Sequence, residues 1–401
     1  MVAAAGAAAS AAPSSGGGGG MNPFQIATNL YAEKNLNGLI NSQLLTLTPA
    51  AGGGQINAGQ YLRGNRLIVR TVTAGATIPI AGTNQDSPFG GSVGTPGTGG
   101  AGGVFSQLDL VNVDGSEILY NMNGFAHYAA QKYGRPWLQD PATAYDFVLS
   151  ATQVAFTMFL QPEIRFTAGV LANTDTRSQY RWDQSVVGFT GAGTQPTISV
   201  TPYMDAWAQP DDKDLQGTPN QPVPPGVNLQ VKRRHQIFTT NPSGSDNIFL
   251  SALTGNAKRL SVLVWRDQAG VRIAGASDPI YWSIDNRSLG RLNPDIVTQW
   301  ANDFYGQLYG KATNPQSAPS ATVPGAFGSL NPGCYGAGVY VFPRFMEPGS
   351  LVGQGWLYTS NATKEQWETS STAAVTAAGT LEEIADEVYP VGPVDPSLVD
   401  I

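Results

Sequence analysis

The chain has few charged residues. Lys, Arg, Asp and Glu make up 13% of its 401 residues, about half of the roughly 25% that is usual in soluble proteins. Its net charge is −7, and no Lys or Arg precedes Lys34. Proteins that package nucleic acid directly usually carry a basic arm, because contacts to phosphates supply the affinity. The neutral N-terminal segment therefore argues against direct binding of a genome.

Cysteine, histidine and long apolar runs are also scarce. Cys334 is the single cysteine, which excludes a disulfide framework within the chain. Together with two histidines it does not supply a typical zinc site, which needs three or four N or S ligands. No apolar run reaches the ~18 residues of a transmembrane helix. The Ala-rich N-terminus lacks the positive region of a signal peptide, so we do not predict one.

Glycine and proline are abundant instead. The 48 Gly and 28 Pro residues separate short segments that are rich in β-branched residues. This pattern predicts an all-β protein made of sandwiches or barrels. The predicted strands are Asn65–Thr73, Val104–Val113, Gln153–Leu160, Gln179–Val187, Thr197–Tyr203, Val227–Thr240, Arg259–Arg266, Val271–Ala274, Ile280–Ile284, Gly338–Phe342 and Leu351–Thr359.

The N-terminal segment does not follow the β pattern. Residues 1–21 form a low-complexity Ala/Gly arm that cannot build a core of its own. Asn22 and Pro23 then provide an N-cap and a first helical residue. Apolar residues at three- and four-residue steps predict an amphipathic helix over residues 22–48.

One motif occurs twice with nearly the same order and spacing. In the first copy a strand leads to Asp114, and a predicted helix follows that contains Tyr128 and ends in Tyr-Gly. In the second copy a strand leads to Asp285, and the predicted helix contains Trp300 and ends in Tyr-Gly at Gly306. The closing Gly suits the position just after a helix. The repeat predicts a duplicated β unit, with the two helices at equivalent places.

These features resemble a known family. An N-terminal helix and two β units, each with an inserted helix, are similar to the double jelly-roll major capsid proteins of tailless, membrane-containing bacterial viruses of the tectivirus type. The stretches Val170–Asn173 and Arg177–Gln179 resemble the end of the first jelly roll in that family. Gly338–Phe342, followed by Trp356–Ser360, resembles the end of the second. The resemblance covers most of residues 22–375.

The resemblance implies an all-β fold with a few short helices, made of two tandem eight-stranded jelly rolls that follow an N-terminal helix. The predicted division is an arm over 1–21, a helix over 22–48, the first jelly roll over 49–205, a Pro-rich acidic loop over 206–227, the second jelly roll over 228–375 and a C-terminal tail over 376–401.

The resemblance also implies a function. Proteins of this family form trimers whose six jelly rolls give a pseudo-hexagonal tile. We therefore expect a structural, non-enzymatic subunit of an icosahedral virus shell, made in the host cytoplasm and located in the virion. The implied partners are two further copies, neighbouring trimers, penton and minor capsid proteins and an internal viral membrane, with no cofactor. The alternative is a secreted or surface β-sandwich protein that binds or hydrolyses carbohydrate.

Several local motifs match catalytic patterns without the context that the chemistry needs. Gly90–Gly94 matches the nucleophile elbow G-x-S-x-G, but it lies in a Gly/Thr/Pro loop. His127 is on the predicted first helix, where a packing or capping role is expected. Gly97–Gly102 matches G-x-G-x-x-G, but a strand follows it where a dinucleotide site needs a helix. Neither is predicted to be an active site.

Carboxylates and bases give further candidates. For the carbohydrate alternative, the paired carboxylates would come from Glu117, Glu163 and Glu347 near predicted strand ends. The cluster Asp211, Asp212 and Asp214 contains oxygen ligands for Ca²⁺, but a solvated loop tip explains it as well.

The basic run Lys232–His235 could meet phosphates or an acidic loop of a neighbouring subunit. A half-solvated edge strand is the interpretation we predict for it. The glycosylation sequons at Asn286 and Asn361 are of the number expected by chance, and no role is predicted for them.

Overall fold

The computed structural model describes the strands of both halves of the chain and two helices. The predicted arm and most of the predicted N-terminal helix lie outside the described residues. Those residues are 45–47, 51–55, 60–75, 104–111, 117–134, 148–149, 154–160, 163–164, 171–173, 179–184, 197–208, 229–253, 257–268, 270, 272–285, 287–309, 338–344 and 357–390.

Strands account for most of the described secondary structure. The elements of the first half are β1 Leu45–Leu47, β2 Ala51–Gln55, β3 Gln60–Thr73, β4 Phe105–Val111, β5 Glu117–Met122, α1 Gly124–Gly134, β6 Val148–Leu149, β7 Val154–Leu160, β8 Glu163–Ile164, β9 Leu171–Asn173, β10 Gln179–Gln184 and β11 Thr197–Ala208. Those of the second half are β12 Leu229–Thr239, β13 Asp246–Ser251, β14 Ala257–Arg266, β15 Ile280–Ile284, β16 Arg287–Leu292, α2 Pro294–Tyr309, β17 Val339–Pro343, β18 Leu357–Tyr358, β19 Glu365–Ser370 and β20 Thr380–Pro390.

The principal strands have the same spatial order in both halves. In the first half the neighbouring strands are β1-β11-β3-β7 in one set and β2-β10-β4-β5 in the other. In the second half the corresponding sets are β12-β20-β14-β17 and β13-β19-β15-β16. If the principal strands are numbered along each half, one set has the order first, eighth, third and sixth. The other set has the order second, seventh, fourth and fifth, and this holds in both halves. This is the order of a jelly roll.

The two helices have the same position in the order of elements of the two jelly rolls. Helix α1 follows β5, and helix α2 follows β16, so each comes directly after the fifth principal strand. Asp285 lies in the turn between β15 and β16. Asp114 is outside the described residues, but in chain order it falls between β4 and β5, which is the equivalent position. The two helices therefore follow the same strand in the order of elements, and their equivalence in space stays a prediction.

One ten-stranded sheet runs through both jelly rolls. Strand β12 of the second half lies between β20 of its own half and β5 of the first half. It pairs with β5 in parallel, with Arg233 opposite Leu119 and Arg234 opposite Tyr120. Because backbone hydrogen bonds connect the halves here, the two jelly rolls are parts of one continuous structure.

Helix α1 begins at a side-chain cap and is buried against the second jelly roll. The Oδ1 atom of Asn123 accepts a hydrogen bond from the backbone N of Ala126, 2.8 Å away. The helix then contacts β14 and β20. At its end, a Cβ on Gly134 would lie 2.5 Å from Oδ2 of Asp386. Glycine therefore allows the close approach of α1 to β20.

Helix α2 starts in a similar way but has an exposed face. Oδ1 of Asn293 accepts hydrogen bonds from the backbone N atoms of Asp295, at 2.9 Å, and Ile296, at 3.3 Å. Ile296 and Trp300 are one turn apart, and both are exposed. The sequence predicts that this helix ends at Gly306, whereas the helix continues to Tyr309.

Aromatic rings fill the space between the two sheets of the second jelly roll. The rings of Trp282 on β15 and Trp367 on β19 stack with centroids 5.7 Å apart. Phe342 on β17 packs on Trp367 at 4.8 Å, and Trp265 on β14 meets Phe249 edge-on at 5.9 Å. These side chains join both sheets into one core.

The structure differs from the sequence-based division at four places. Residues 45–47, the end of the predicted helix, form a strand that pairs with β11. Strand β11 continues to Ala208, past the predicted end of the first jelly roll. The predicted strand Val271–Ala274 is wrong, because Arg272 makes only an isolated bridge to Arg266. Residues 380–390, assigned to a C-terminal tail, form β20 inside the sheet, where basic side chains of β12 and β14 offset their acidic charges.

Candidate functional site: a buried charged layer

Strands β12, β14 and β20 carry charged side chains in the interior of the protein. Removing an ion from water costs several kcal/mol unless partners offset it. The described residues of the second half nevertheless include eleven such buried side chains on these strands and next to them. They are Arg233, His235, Lys258, Arg259, Arg266, Arg272, Glu365, Glu382, Glu383, Asp386 and Glu387.

Two carboxylates of β20 each bind two basic side chains on the sheet face toward α1. Oδ1 of Asp386 lies 3.1 Å from Nε of Arg233, and its Oδ2 lies 2.7 Å from Nη2 of Arg259. Oε1 of Glu382 lies 2.5 Å from Nε of Arg266, and its Oε2 lies 3.2 Å from Nε2 of His235.

The strand register explains why these pairs form. Arg233 and Asp386 are direct partners across β12 and β20, and His235 faces Ile384, two positions further along β12. On the other side of β20, strand β14 brings Arg266 level with Thr380. Side chains two positions apart share a face of a strand, so the basic residues of β12 and β14 meet the acidic residues of β20 on one face.

A contact across the two halves extends this face. The guanidinium carbons of Arg266 and Arg272 lie 5.4 Å and 5.3 Å from the ring centroid of Phe125, which is in α1. A cation at this distance over an aromatic face is attracted by the ring quadrupole. The charged layer therefore lies where the first jelly roll meets the second.

A second group of charges lies on the opposite face, between the two sheets of the second jelly roll. Nζ of Lys258 on β14 contacts Oε2 of Glu365 on β19 and lies 3.0 Å from Oε1 of Glu383 on β20. The indole Nε1 of Trp282 donates to Oε1 of Glu365 at 3.0 Å. Arg234 reaches Glu387 on the same face at 2.8 Å. This group joins the two sheets directly.

Burial and charge act in opposite directions on the ionisation of this group. Burial lowers the pKa of Lys258, but the carboxylates of Glu383 and Glu365 outweigh burial and hold that pKa above its ordinary value. Burial raises the pKa of the Glu365 carboxyl, against the opposing effect of Lys258. Burial also lowers the pKa of the Arg344 guanidinium to about 10. That guanidinium lies 3.6 Å from the ring centroid of Trp282.

The structure corrects one predicted site and leaves others untested. The basic run Lys232–His235 is not a half-solvated edge, because β12 has neighbours on both sides and Arg233 and His235 are buried. Their partners are acidic residues of the same chain. His127 is buried in α1.

Glu117 begins β5 and Glu163 begins β8. Four of the predicted candidates lie outside the described residues, namely Gly90–Gly94, Gly97–Gly102, the Asp211–Asp214 cluster and Glu347.

The described ranges contain neither a cluster suited to a metal ion nor a membrane-spanning helix. No group of three or more His, Cys, Asp and Glu side chains in these ranges is arranged to hold a metal ion. No helix in the same part of the chain is long and apolar enough to cross a membrane.

Comparison with known proteins gives matches at the level of structure. No protein-family model and no curated protein matches the sequence. The crystal structure of the STIV major capsid protein aligns with a TM-score of 0.53 and 10% identity, over 91% of this chain and 100% of that chain. A chain from the atomic structure of Sulfolobus turreted icosahedral virus aligns with a TM-score of 0.55 and 9% identity, over 90% and 96% of the two chains. The major capsid protein of bacteriophage PM2 gives a TM-score of 0.45 and 12% identity, over 87% and 97%.

Both halves have the strand order of a jelly roll, and the two alignments to STIV proteins cover both halves. This chain has the double jelly-roll fold. Within the double jelly roll, the charged layer lies on β12, which pairs with the first roll, and on its neighbours β20 and β14. The Lys258 group lies inside the second roll. The sequence analysis did not identify the acidic members of either group or the basic side chains of β14. The signal that was present is the two acidic pairs Glu382-Glu383 and Asp386-Glu387 between apolar residues, in a chain that has a basic run at Lys232–His235.

Proposed function

We propose that this chain is a structural subunit of a virus shell and that it assembles as pseudo-hexameric trimers into an icosahedral capsid. The observation that carries the proposal is the pair of jelly rolls with identical strand order, joined by one sheet and aligned along almost the whole length of the STIV major capsid protein. Its location is then the virion, after synthesis in the host cytoplasm. We assign it no enzymatic role.

The surface supports assembly with further copies. Several large apolar side chains are exposed although the chain has little charge to keep its surface solvated. Apolar surface of this kind is typical of protein contacts. The exposed residues are Val72, Ile237, Ile248, Leu250, Tyr281, Ile296, Trp300 and Tyr358.

The proposed partners follow from this role. They are two further copies in the trimer, neighbouring trimers, penton and minor capsid proteins, and an internal viral membrane. The net charge of −7 favours a shell that does not bind the genome directly, because phosphate contacts require basic surface.

Sedimentation and electron microscopy of the purified full-length chain test the proposal. We expect a trimer with a pseudo-sixfold outline, in which each subunit buries well over the roughly 800 Å² per side of a standard interface. A monomer that persists at micromolar concentration would contradict the trimer. A monomer that also binds oligosaccharides would support the carbohydrate alternative instead.

A further inference from the structure

Three buried side chains from three strands meet inside the second jelly roll. Lys258 comes from β14, Glu383 from the neighbouring β20, and Glu365 from β19 in the opposite sheet. All three are at most 1% exposed. One amine therefore faces two carboxyl groups, one across the sandwich and one beside it in its own sheet.

The atomic contacts suit a condensation between the amine and one carboxyl group. Nζ of Lys258 contacts Oε2 of Glu365, so nucleophile and acyl group are already together. Holding two reactants in this way corresponds to an effective concentration of about 10⁵–10⁸ M in favourable cases. Oε1 of Glu383 lies 3.0 Å from the same Nζ and is placed to accept a proton from it. Within the described part of the chain, Oε2 of Glu383 has no hydrogen-bond partner.

We propose that Lys258 and Glu365 condense to an intramolecular isopeptide bond that covalently joins strands β14 and β19, with Glu383 accepting the proton that frees the amine. The inference does not depend on the capsid role.

The reaction is balanced without a further reagent. The starting state is an ammonium on Lys258, a protonated Glu365 and an ionised Glu383. Glu383 takes one proton from the ammonium, and the amine attacks Cδ of Glu365 to form the N–C bond. The C–OH bond then breaks, a second proton from nitrogen goes to the departing hydroxyl, and water leaves. The products are an amide, one water molecule and a protonated Glu383.

The surroundings of Glu365 favour its role as the acyl donor and favour the amide product. The Nε1–H of Trp282 already donates to Oε1 of Glu365 at 3.0 Å, where it would stabilise the negative charge that develops on the carbonyl oxygen during attack. Trp367 stacks on Trp282, and this aromatic core keeps bulk water away from the amide. Burial also raises the pKa of Glu365, which favours the protonated acid that must lose its hydroxyl. Condensation removes buried charges that are costly to keep.

The bond would be a covalent cross-link between the two sheets of the second jelly roll. Lys258 and Glu365 are 107 positions apart in the chain, and the chain has one cysteine and therefore no internal disulfide. A cross-link that closes a long loop restricts the unfolded chain most strongly. The proposed bond would hold the two sheets of the second jelly roll together under conditions that break non-covalent contacts.

Mass spectrometry of the denatured full-length protein tests the proposal. We expect a mass lower than that of the sequence by one water molecule, and a branched peptide that joins the Lys258 and Glu365 segments after proteolysis. A folded wild-type protein that retains its full sequence mass overturns the proposal, whatever the variants show.

Variants assign the roles of the three residues. Lys258→Arg should restore the full mass, and a persistent deficit in it would place the water loss elsewhere and reject the bond. Lys364→Arg is the matched control, since the exposed Lys364 is adjacent to Glu365, and it should keep the deficit.

The remaining variants separate proton transfer from acyl transfer. Glu383→Gln should fold but keep its full mass, and formation of the bond in that variant would exclude Glu383 as the proton carrier. Glu365→Gln should release ammonia instead of water and reach the same final mass as cross-linked wild type. If the folded Glu365→Gln variant kept the full mass of its own sequence, the result would count against attack at this carbon.

Discussion

Arg233 and Asp386 lie directly opposite each other across strands β12 and β20, and their side chains form a buried ion pair with Nε and Oδ1 3.1 Å apart. Arg259 approaches the other carboxylate oxygen of Asp386 from β14. One carboxylate thus compensates two guanidinium groups on the strands that flank it. Because this trio lies beside α1 of the first jelly roll, it connects the stability of the second roll to its contact with the first.

The first prediction concerns the loss of this carboxylate. Asp386→Asn leaves two buried guanidinium groups without their shared negative partner. We expect a loss of about 3–5 kcal/mol in the free energy of unfolding, which is the range for breaking a buried pair on one side. Urea unfolding measures it. Asp246→Asn on the exposed start of β13 is the control, with an expected change below about 1 kcal/mol. Equal effects of the two substitutions would show that the buried trio contributes no more than a surface carboxylate.

Glycine 134 provides a second prediction, about the fit of α1 against β20. A Cβ at Gly134 would lie 2.5 Å from Oδ2 of Asp386, whereas a Cβ at Gly290 would meet Leu292 at an ordinary 3.7 Å. Gly134→Ala should therefore destabilise by about 1–3 kcal/mol, as overpacking does. Gly290→Ala should stay within about 0.5 kcal/mol of wild type. The thermal unfolding midpoints of the two variants and of wild type measure these effects. An unchanged midpoint for Gly134→Ala would mean that α1 does not approach β20 so closely.

Strands of apolar β-branched and aromatic residues could be predicted from the sequence. A strand whose buried acidic residues pair with basic residues far away in the sequence could not. Ile280–Ile284 was predicted with its observed bounds, because apolar β-branched and aromatic residues give a local signal. Residues 380–390 carry four acidic side chains and look like a solvated tail. Their partners are far away in sequence, with Arg233 and Asp386 separated by 153 positions. Local patterns do not contain that information, so both β20 and the buried environment of Lys232–His235 became visible only in the fold.

The third prediction is a pH dependence that comes from Tyr340. Burial raises the pKa of the Tyr340 hydroxyl from 10.0 to about 12. The unfolded chain therefore loses this proton at a lower pH than the folded chain, and the stability that the neutral phenol provides is present below about pH 10 and is lost as the pH rises toward about 12. Full loss would amount to up to about 3 kcal/mol.

A substitution isolates this effect from other groups that titrate at high pH. Urea midpoints of wild type and Tyr340→Phe should be compared at about pH 9 and about pH 11. The midpoint of wild type should fall more over this interval than that of Tyr340→Phe. Tyr281→Phe on β15, which removes the hydroxyl of an exposed side chain, should behave like wild type. Parallel falls in all three proteins would rule out Tyr340 as the source.

The last prediction concerns the N-terminal segment and depends on the proposed capsid role. The arm over residues 1–21 is too rich in small side chains to form its own core, and the predicted helix after it has an apolar stripe with few charges. We expect this segment to contact neighbouring subunits or the inner side of the shell. A deletion must stop before Leu45, because Leu45 pairs with Val200 in the first jelly roll. Removal of residues 1–44 should leave soluble trimers in sedimentation but abolish closed shells in electron microscopy. Removal of residues 1–21 alone separates the arm from the helix. Normal particles from the longer deletion would show that the whole segment is dispensable for assembly.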